Sequence, residues 1–315
     1  MPPRSFPHYG LERTDSMTGS RTATHLPLDR PARSLARRGR ARGAALAIGA
    51  LLTASTAVAL AAPAGAAAGD INCPSSACVQ VASQLGGPIN AVPDNAGSVY
   101  LTYSSGELRK VDLATGASSA VASGLGNVRG AAVADGSAYV TSFGGTLDQV
   151  NLATGSVRTV AAGLPPLIGV TRNGDTTYAT DGQGEIVAFP DGGTAKVVAT
   201  GIGFSEGIAF DKAGFAYTAD MGTGRIIQTN PATGATRVLS TGSYEPTSIS
   251  VGADGQVYFW GGDDILRVNP TTTAQSRVTS IEGINSFTFS LATSGNAYAL
   301  DAVGGLWQIN GLTSR

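Results

Sequence analysis

Histidine is missing from most of this sequence. The chain has 315 residues and two histidines, His8 and His25, both within the first 68 residues. Residues 69–315 therefore cannot form a Ser-His-Asp or Cys-His nucleophile pair, an imidazole general base or an imidazole-bound zinc site. Any chemistry in that region depends on carboxylates, amides, hydroxyls, arginine and the backbone.

The first 68 residues have the order of a leader. Six arginines between Arg30 and Arg42 precede the apolar run Ala44–Leu60, and small residues follow it up to Ala66 and Ala68. This order is typical of a secretory signal peptide, and we expect cleavage near Ala66–Ala68. A run of 17 alanine-rich residues is marginal for spanning a bilayer. We therefore favour export with no membrane span left after signal removal over a retained anchor.

Positive charge is also scarce outside the leader. Residues 69–315 contain 12 basic and 19 acidic residues, a net charge of −7. Nucleic-acid binding needs a basic surface, which this composition does not supply. We expect no nucleic-acid partner. We expect instead an extracellular monomer that meets a small molecule, a glycan or a protein.

The chain has only two cysteines, Cys73 and Cys78. An even pair in an exported chain predicts a disulfide. The loop between them is short, which limits the stabilisation to about 2 kcal/mol. A reactive thiol is the alternative.

A repeat of about forty residues organises the rest of the chain. Its aligned tyrosines are Tyr100, Tyr139, Tyr178, Tyr217, Tyr258 and Tyr298, at intervals of 39, 39, 39, 41 and 40 residues. Gly, Asp-Gly and Thr-Gly turn signals separate short alternating apolar runs. Such a period is typical of a propeller blade. The sequence predicts an all-β, six-bladed β-propeller with four antiparallel strands per blade.

The sixth repeat lacks a fourth strand. It ends with Leu306–Asn310, whereas Val79–Gly86 matches the fourth-strand pattern and precedes the first full repeat. We expect residues 79–85 to complete the last blade, because an open array would leave two sheet edges unpaired. The predicted domains are a leader over 1–68 and a propeller over 69–315.

The aromatic residues allow two interpretations. The repeated tyrosines are favoured as packing between blades over stacking sites for a ligand. Trp260 precedes the loop that departs most from the repeat. It is either a platform for a sugar or aromatic ligand, or a packed residue at the rim.

A meander of four strands places the start of its first strand and the end of its second on one face, around the central channel. The predicted first-strand starts are Asn90, Arg129, Ile168, Glu206, Thr247 and Asn285. The predicted second-strand ends are Tyr103, Ser142, Asp181, Asp220, Gly261 and Asp301. Candidate binding residues on this face are Asn90, Arg129, Asp181, Glu206 and Asp220, with Trp260 beside them.

Carboxylates and amides without histidine are the ligand set of a hard cation such as Ca²⁺. The alternative for an Asp at a strand end is to accept hydrogen bonds from backbone amides of the next loop. Glu206 is the strongest candidate, because it has no turn to cap. Arg129 is the only cation in the predicted ring, so the two side chains either contact a ligand or form an ion pair.

Three segments of the fourth repeat carry a family resemblance: Glu206–Asp211, Ala216–Asp220 and Gly224–Ile226. They resemble NHL-type propellers and the related senescence-marker/gluconolactonase and virginiamycin B lyase families. The resemblance extends over Val79–Asn310 and implies the six-bladed fold.

The gluconolactonase resemblance implies a divalent-ion site. That family binds its ion through the Glu of a Glu-Gly motif with an Asn and an Asp from later blades, which correspond here to Glu206, Asn285 and Asp301. Asn285-Ser286 departs from the Asn-Gly that the family tends to show. The lyase family's catalytic histidine has no counterpart in this repeat region.

Two functions follow from these observations. The first is a secreted binding module or scaffold that presents a site at the channel mouth. The second is a divalent-metal-dependent hydrolase of the lactonase type, in which the ion polarises a carbonyl oxygen or activates water.

Overall fold

A computed structural model describes residues 77–284 and 289–314, and nearly all of their regular structure is β-strand. The strands are β1 (Cys78–Ala82), β2 (Asn90–Pro93), β3 (Ser98–Tyr103), β4 (Glu107–Asp112), β5 (Ser118–Ala122), β6 (Val128–Ala134), β7 (Ser137–Ser142), β8 (Leu147–Asn151), β9 (Val157–Ala161), β10 (Leu167–Asn173), β11 (Thr176–Asp181), β12 (Glu185–Pro190), β13 (Lys196–Thr200), β14 (Ser205–Phe210), β15 (Ala216–Asp220), β16 (Arg225–Thr229), β17 (Thr236–Ser240), β18 (Ile249–Val251), β19 (Val257–Gly261), β20 (Asp264–Val268), β21 (Gln275–Ser280), β22 (Ser290–Leu291), β23 (Ala297–Leu300) and β24 (Leu306–Ile309). A short 3₁₀ turn, Leu312–Ser314, follows the last strand.

The strands form six antiparallel sheets of four strands each. Blades 1 to 5 are the meanders β2–β5, β6–β9, β10–β13, β14–β17 and β18–β21, and blade 6 is β22, β23, β24 and β1. The first strand of each blade contacts the first strand of the next, and β22 contacts β2, so the inner strands form a closed ring. The predicted six-bladed propeller is confirmed.

The N-terminal strand closes the ring. In the pairing of β1 with β24, Cys78 is opposite Ile309. The predicted closing segment, residues 79–85, runs alongside β24 as expected. Beyond the strand, the backbone N–H of Leu85 donates to Gly304 O at 3.0 Å. Pairing through β1 leaves β24 without a free edge.

The repeated tyrosines pack between blades. Tyr217 and Tyr258 are fully buried. Tyr217 lies in one apolar cluster with Ile249 and Phe259 of the next blade. The packing interpretation of these tyrosines is therefore confirmed.

The inner strands of blades 2, 3 and 4 each contain a bulge, at Val128–Ala131, Leu167–Val170 and Ser205–Ile208. A glycine in each bulge allows close approach of the neighbouring strand. A Cβ on Gly130, for example, would lie 2.5 Å from Ile168 O. The residues just before these glycines include Arg129 and Glu206.

Two sequence predictions fall outside the described residues. The leader lies entirely outside them, and so does Cys73, so the Cys73–Cys78 disulfide remains a prediction. In the part of the chain that the structure describes, no helix has the length and apolar character needed to cross a membrane.

Candidate functional site at the channel mouth

A cavity of about 310 Å³ runs along the inner strands through the middle of the propeller. Asn90 and Glu206 line it at the end where the first strands begin. Phe210 and Leu291 line it at the opposite end. We call the first end the channel mouth, and it is the face that the sequence predicted as the site.

Arg129 and Glu206 meet at the channel mouth from blades 2 and 4. Arg129 Nη2 lies 3.6 Å from Glu206 Oε1, with side-chain exposures of 29% and 16%. The guanidinium carbon of Arg129 lies 4.1 Å from the centre of the Phe143 ring, in cation–π contact. The structure thus brings together the two strongest sequence candidates.

Burial dominates the electrostatics of Glu206. It disfavours the charged form and raises the pKa of the carboxyl above its ordinary value, while the Arg129 charge acts in the opposite direction. Arg129 therefore offsets only part of the desolvation. An additional positive charge or hydrogen-bond donor at the mouth would therefore stabilise the ionised form of Glu206.

Asp220, by contrast, is fully engaged by its own hairpin. Its Oδ1 accepts the Gly222 N–H at 3.1 Å. Its Oδ2 accepts the Thr223 hydroxyl and Arg225 Nη2, the latter at 2.7 Å. Burial alone would raise the pKa of Asp220, but the Thr223 and Arg225 hydrogen bonds and the Arg225 charge outweigh it and lower the pKa. This carboxylate stabilises a turn.

Asp301 is held in a similar way. Its Oδ1 accepts backbone N–H groups of Val303 at 2.9 Å and Gly305 at 2.6 Å. Its Oδ2 accepts the indole N–H of Trp307 at 2.8 Å. An Asp301 that bound a metal ion would have to exchange these bonds for the ion.

Asp181 and Asn90 also bond within their own blades. Asp181 Oδ1 accepts the N–H of Gln183 at 3.0 Å and of Glu185 at 2.9 Å. Its Oδ2 is buried without a partner among the described residues. Asn90 Oδ1 accepts the N–H of Ala91 at 2.8 Å.

The predicted metal site includes a residue that the structure does not describe. Among residues 77–284 and 289–314, no cluster of three or more His, Cys, Asp or Glu side chains is arranged to hold an ion. Asn285 lies outside these residues. The set Glu206, Asn285 and Asp301 therefore remains a prediction.

Trp260 is placed in the core. It is 1% exposed, and its indole N–H donates to Gly262 O at 2.5 Å. It shares an apolar cluster with Tyr258 and Phe289. An indole packed on both faces offers no surface for stacking a ligand, so the packed alternative describes Trp260.

Tyr244 is an exposed aromatic residue on this face that the sequence reasoning missed. Its side chain is 70% exposed, and its ring lies against Gly262. It stands in the connection between β17 and β18, outside the forty-residue tyrosine spacing. That departure from the period is the signal that could have identified it.

The fold is shared with solved propellers of different activities. A gluconolactonase from Xanthomonas campestris matches with a TM-score of 0.62 and 13% identity, over 73% of this chain and 88% of that one. A streptogramin B lyase matches with a TM-score of 0.61 and 14% identity, over 74% and 97%. A chain of a nidogen/laminin complex matches with a TM-score of 0.55 and 19% identity, over 60% and 78%.

The chain is a six-bladed β-propeller. The predicted resemblance to the gluconolactonase and lyase propellers is confirmed at the level of the fold. No protein-family model matches the sequence, and no curated protein matches it. Identities this low support a shared fold but not a shared activity, because propellers host many unrelated functions.

Proposed function

We propose that this propeller is a secreted binding module whose channel mouth holds a small polar molecule, either free or as part of a glycan or protein partner. One observation carries the proposal. Within the described residues, Arg129 Nε is buried without a hydrogen-bond partner, and the partly buried side chains of Arg129 and Glu206 approach each other only to 3.6 Å. The neighbouring carboxylates of Asp220 and Asp301 are engaged in turns.

Buried polar groups are normally hydrogen-bonded, and those that are not call for an explanation. A ligand that reaches the mouth can supply the missing partners and displace water from a partly enclosed surface. Tyr244, exposed on the same face, offers an apolar surface for the ring of a sugar or an aromatic group.

The proposal is tested by screening polar metabolites and oligosaccharides for an increase in melting temperature. A ligand that binds the folded state raises it by mass action. We expect the shift to disappear in Arg129→Gln and Glu206→Gln and to persist in Arg277→Gln. Arg277 is a suitable control because its ion pair with Asp264, at 3.8 Å, is similarly long and more exposed. A shift that survives both mouth substitutions would place the ligand elsewhere.

The metal-dependent hydrolase is the competing function, and the solved gluconolactonase with the same fold is its support. The residues described fit it poorly, because both carboxylate oxygens of Asp301 accept protein hydrogen bonds. Melting with and without Ca²⁺, together with an assay of lactone hydrolysis, separates the two functions. A Ca²⁺ response that Glu206→Gln removes, with hydrolysis, would establish the hydrolase.

Export is a separate proposal, supported by the arginine-rich and apolar order of the first 68 residues. Sequencing the N-terminus of the protein recovered from the culture medium tests it. We expect a mature start just after Ala66 or Ala68.

A further inference from the structure

In the part of the chain that the structure describes, Arg129–Glu206 is the most buried of three long ion pairs, the others being Arg109–Glu107 and Arg277–Asp264 at 3.8 Å. Arg225 Nη2 lies 2.7 Å from Asp220 Oδ2, and Arg172 bonds Asp191 through two nitrogens. The 3.6 Å between Arg129 Nη2 and Glu206 Oε1 exceeds the length of a charged hydrogen bond. The two side chains therefore do not hydrogen-bond to each other.

The hydrogen-bonding capacity left at this pair is large. A guanidinium has five N–H donors, and a carboxylate has about four acceptor positions. Arg129 Nε is buried and has no partner among the described residues. Phe143 covers one face of the guanidinium, so the terminal Nη groups, which are not among the buried atoms, remain for a planar anion.

The paired charges disfavour ligands that carry only a positive or only a negative charge. An anion that bonded Arg129 would bring its charge close to the Glu206 carboxylate, and a cation that bonded Glu206 would approach the Arg129 guanidinium. Both arrangements put like charges a few ångströms apart in a partly buried site, where repulsion is less screened than in water. A ligand with adjacent opposite charges satisfies both groups at once.

The cavity beyond the mouth indicates the rest of the ligand. Its volume of about 310 Å³ is bounded by the inner strands, and the lining residues include Gly130, Gly207 and Ser250. This space can take the side chain of a small ligand that is held at the charged pair.

We propose that the channel mouth binds a zwitterionic α-amino acid. The carboxylate of the ligand takes the edge of Arg129, its ammonium donates to Glu206, and its side chain points into the channel. This inference rests on the proposed function and specifies its ligand class. Bidentate hydrogen bonding of the ligand carboxylate by arginine fixes the orientation of the ligand.

The test compares L-leucine with its two singly charged analogues by calorimetric titration. 4-Methylpentanoate lacks the ammonium group of leucine, and 3-methylbutylamine lacks its carboxylate. We expect leucine to bind tighter than either analogue by about tenfold or more, since each analogue leaves one charged group unpaired.

Variants locate the site. Arg129→Gln and Glu206→Gln are each expected to weaken leucine binding by about tenfold or more, while Arg277→Gln leaves it unchanged. Arg129→Lys tests orientation, because it keeps the charge and loses the planar pair of donors. It is expected to recover only part of the affinity. Circular dichroism and melting curves check that each variant is folded.

The outcomes separate this inference from the proposed function. Binding of an analogue as tight as leucine, or no leucine binding to the wild-type protein, would overturn the zwitterion assignment. The proposed function would survive either result if another molecule bound in a manner dependent on Arg129 and Glu206. Leucine binding that both variants retain would overturn the assignment of this site.

Discussion

The indole nitrogen of Trp307 donates to Asp301 Oδ2 at 2.8 Å, and this bond ties the third strand of the closing blade to the end of its second. The same carboxylate accepts two backbone N–H groups through Oδ1 and is 5% exposed. Asp301 is thus part of the framework that joins β23 to β24, next to the strand that closes the ring.

Replacing Trp307 with Phe is expected to destabilise the fold. The substitution leaves a buried carboxylate oxygen without its donor, which costs about 1–3 kcal/mol in unfolding free energy, in addition to lost packing. Chemical denaturation measures the change. Val303→Ala in the same turn is the control, since Val303 is 64% exposed and surface substitutions change stability by about 0.5 kcal/mol or less. Equal effects of the two substitutions would contradict the structural role of Asp301.

Two repeated tyrosines offer a matched test of what the tyrosine hydroxyl contributes to stability. Tyr217 OH donates to Asp211 Oδ2 at 2.6 Å and accepts Gln228 Nε2 at 2.8 Å. Tyr178 OH has no hydrogen bond within the described residues, although its ring packs on Phe210 at 4.6 Å. Tyr217→Phe is therefore expected to cost about 1.5–3 kcal/mol, as for a hydrogen bond to a charged group.

Tyr178→Phe is expected to change the unfolding free energy by less than about 0.5 kcal/mol. Denaturation midpoints of the two variants, measured side by side, give the comparison. A large effect of Tyr178→Phe, or none of Tyr217→Phe, would show that ring packing and not the hydroxyl governs these positions.

Asp220 predicts a dependence of stability on pH. Its pKa in the folded protein lies below the ordinary value of 3.8, so its ionised form stabilises the folded state. That contribution is present above pH 3.8 and is lost as the pH falls through the lower folded-state pKa. Asp220→Asn should therefore lower the melting temperature at pH 7 and have a smaller effect below pH 4.

The control for this prediction is Asp264→Asn, because Asp264 forms a longer, more exposed ion pair with Arg277. Exposed pairs contribute about 0–1 kcal/mol, so this variant should melt close to the wild type at both pH values. If Asp220→Asn lowered the melting temperature equally at both pH values, the geometry of the turn and not the charge of Asp220 would account for its effect.

Removing β1 tests closure of the ring. A chain that begins at residue 87 lacks the strand that pairs with β24, and an unpaired edge invites pairing with another molecule. We expect loss of cooperative unfolding, or oligomers in gel filtration, whereas a chain that begins at residue 77 should behave as a folded monomer. A monomeric, cooperatively folded short chain would show that β1 is dispensable.

The fold was predictable because its signals are local and repeated. The spacing of tyrosines such as Tyr139 and Tyr178, together with glycines at turns, identifies each blade from a window of about forty residues. The match of residues 79–85 to other fourth strands identified the closing strand. Each repeat supports the same interpretation, so an ambiguous assignment of strands in one repeat is resolved by comparison with the others.

The candidate site was predictable only in part. The mouth residues Arg129 and Glu206 follow from strand order, but their contact bridges blades 2 and 4, and no local pattern encodes a distance between them. The roles of Asp220 and Asp301 depend on partners within the hairpin, Arg225 and Trp307, that the repeat does not specify.

The sequence by itself determined the number of blades, the four-stranded meander and the way the ring closes, because alternation and turn chemistry act over neighbouring residues. Only the tertiary structure decided that Trp260 is buried and Tyr244 exposed. It also decided that Arg129 and Glu206 are left with unused hydrogen-bonding groups. Burial and pairing depend on which side chains from distant blades reach the same place, and that is fixed by packing the whole ring.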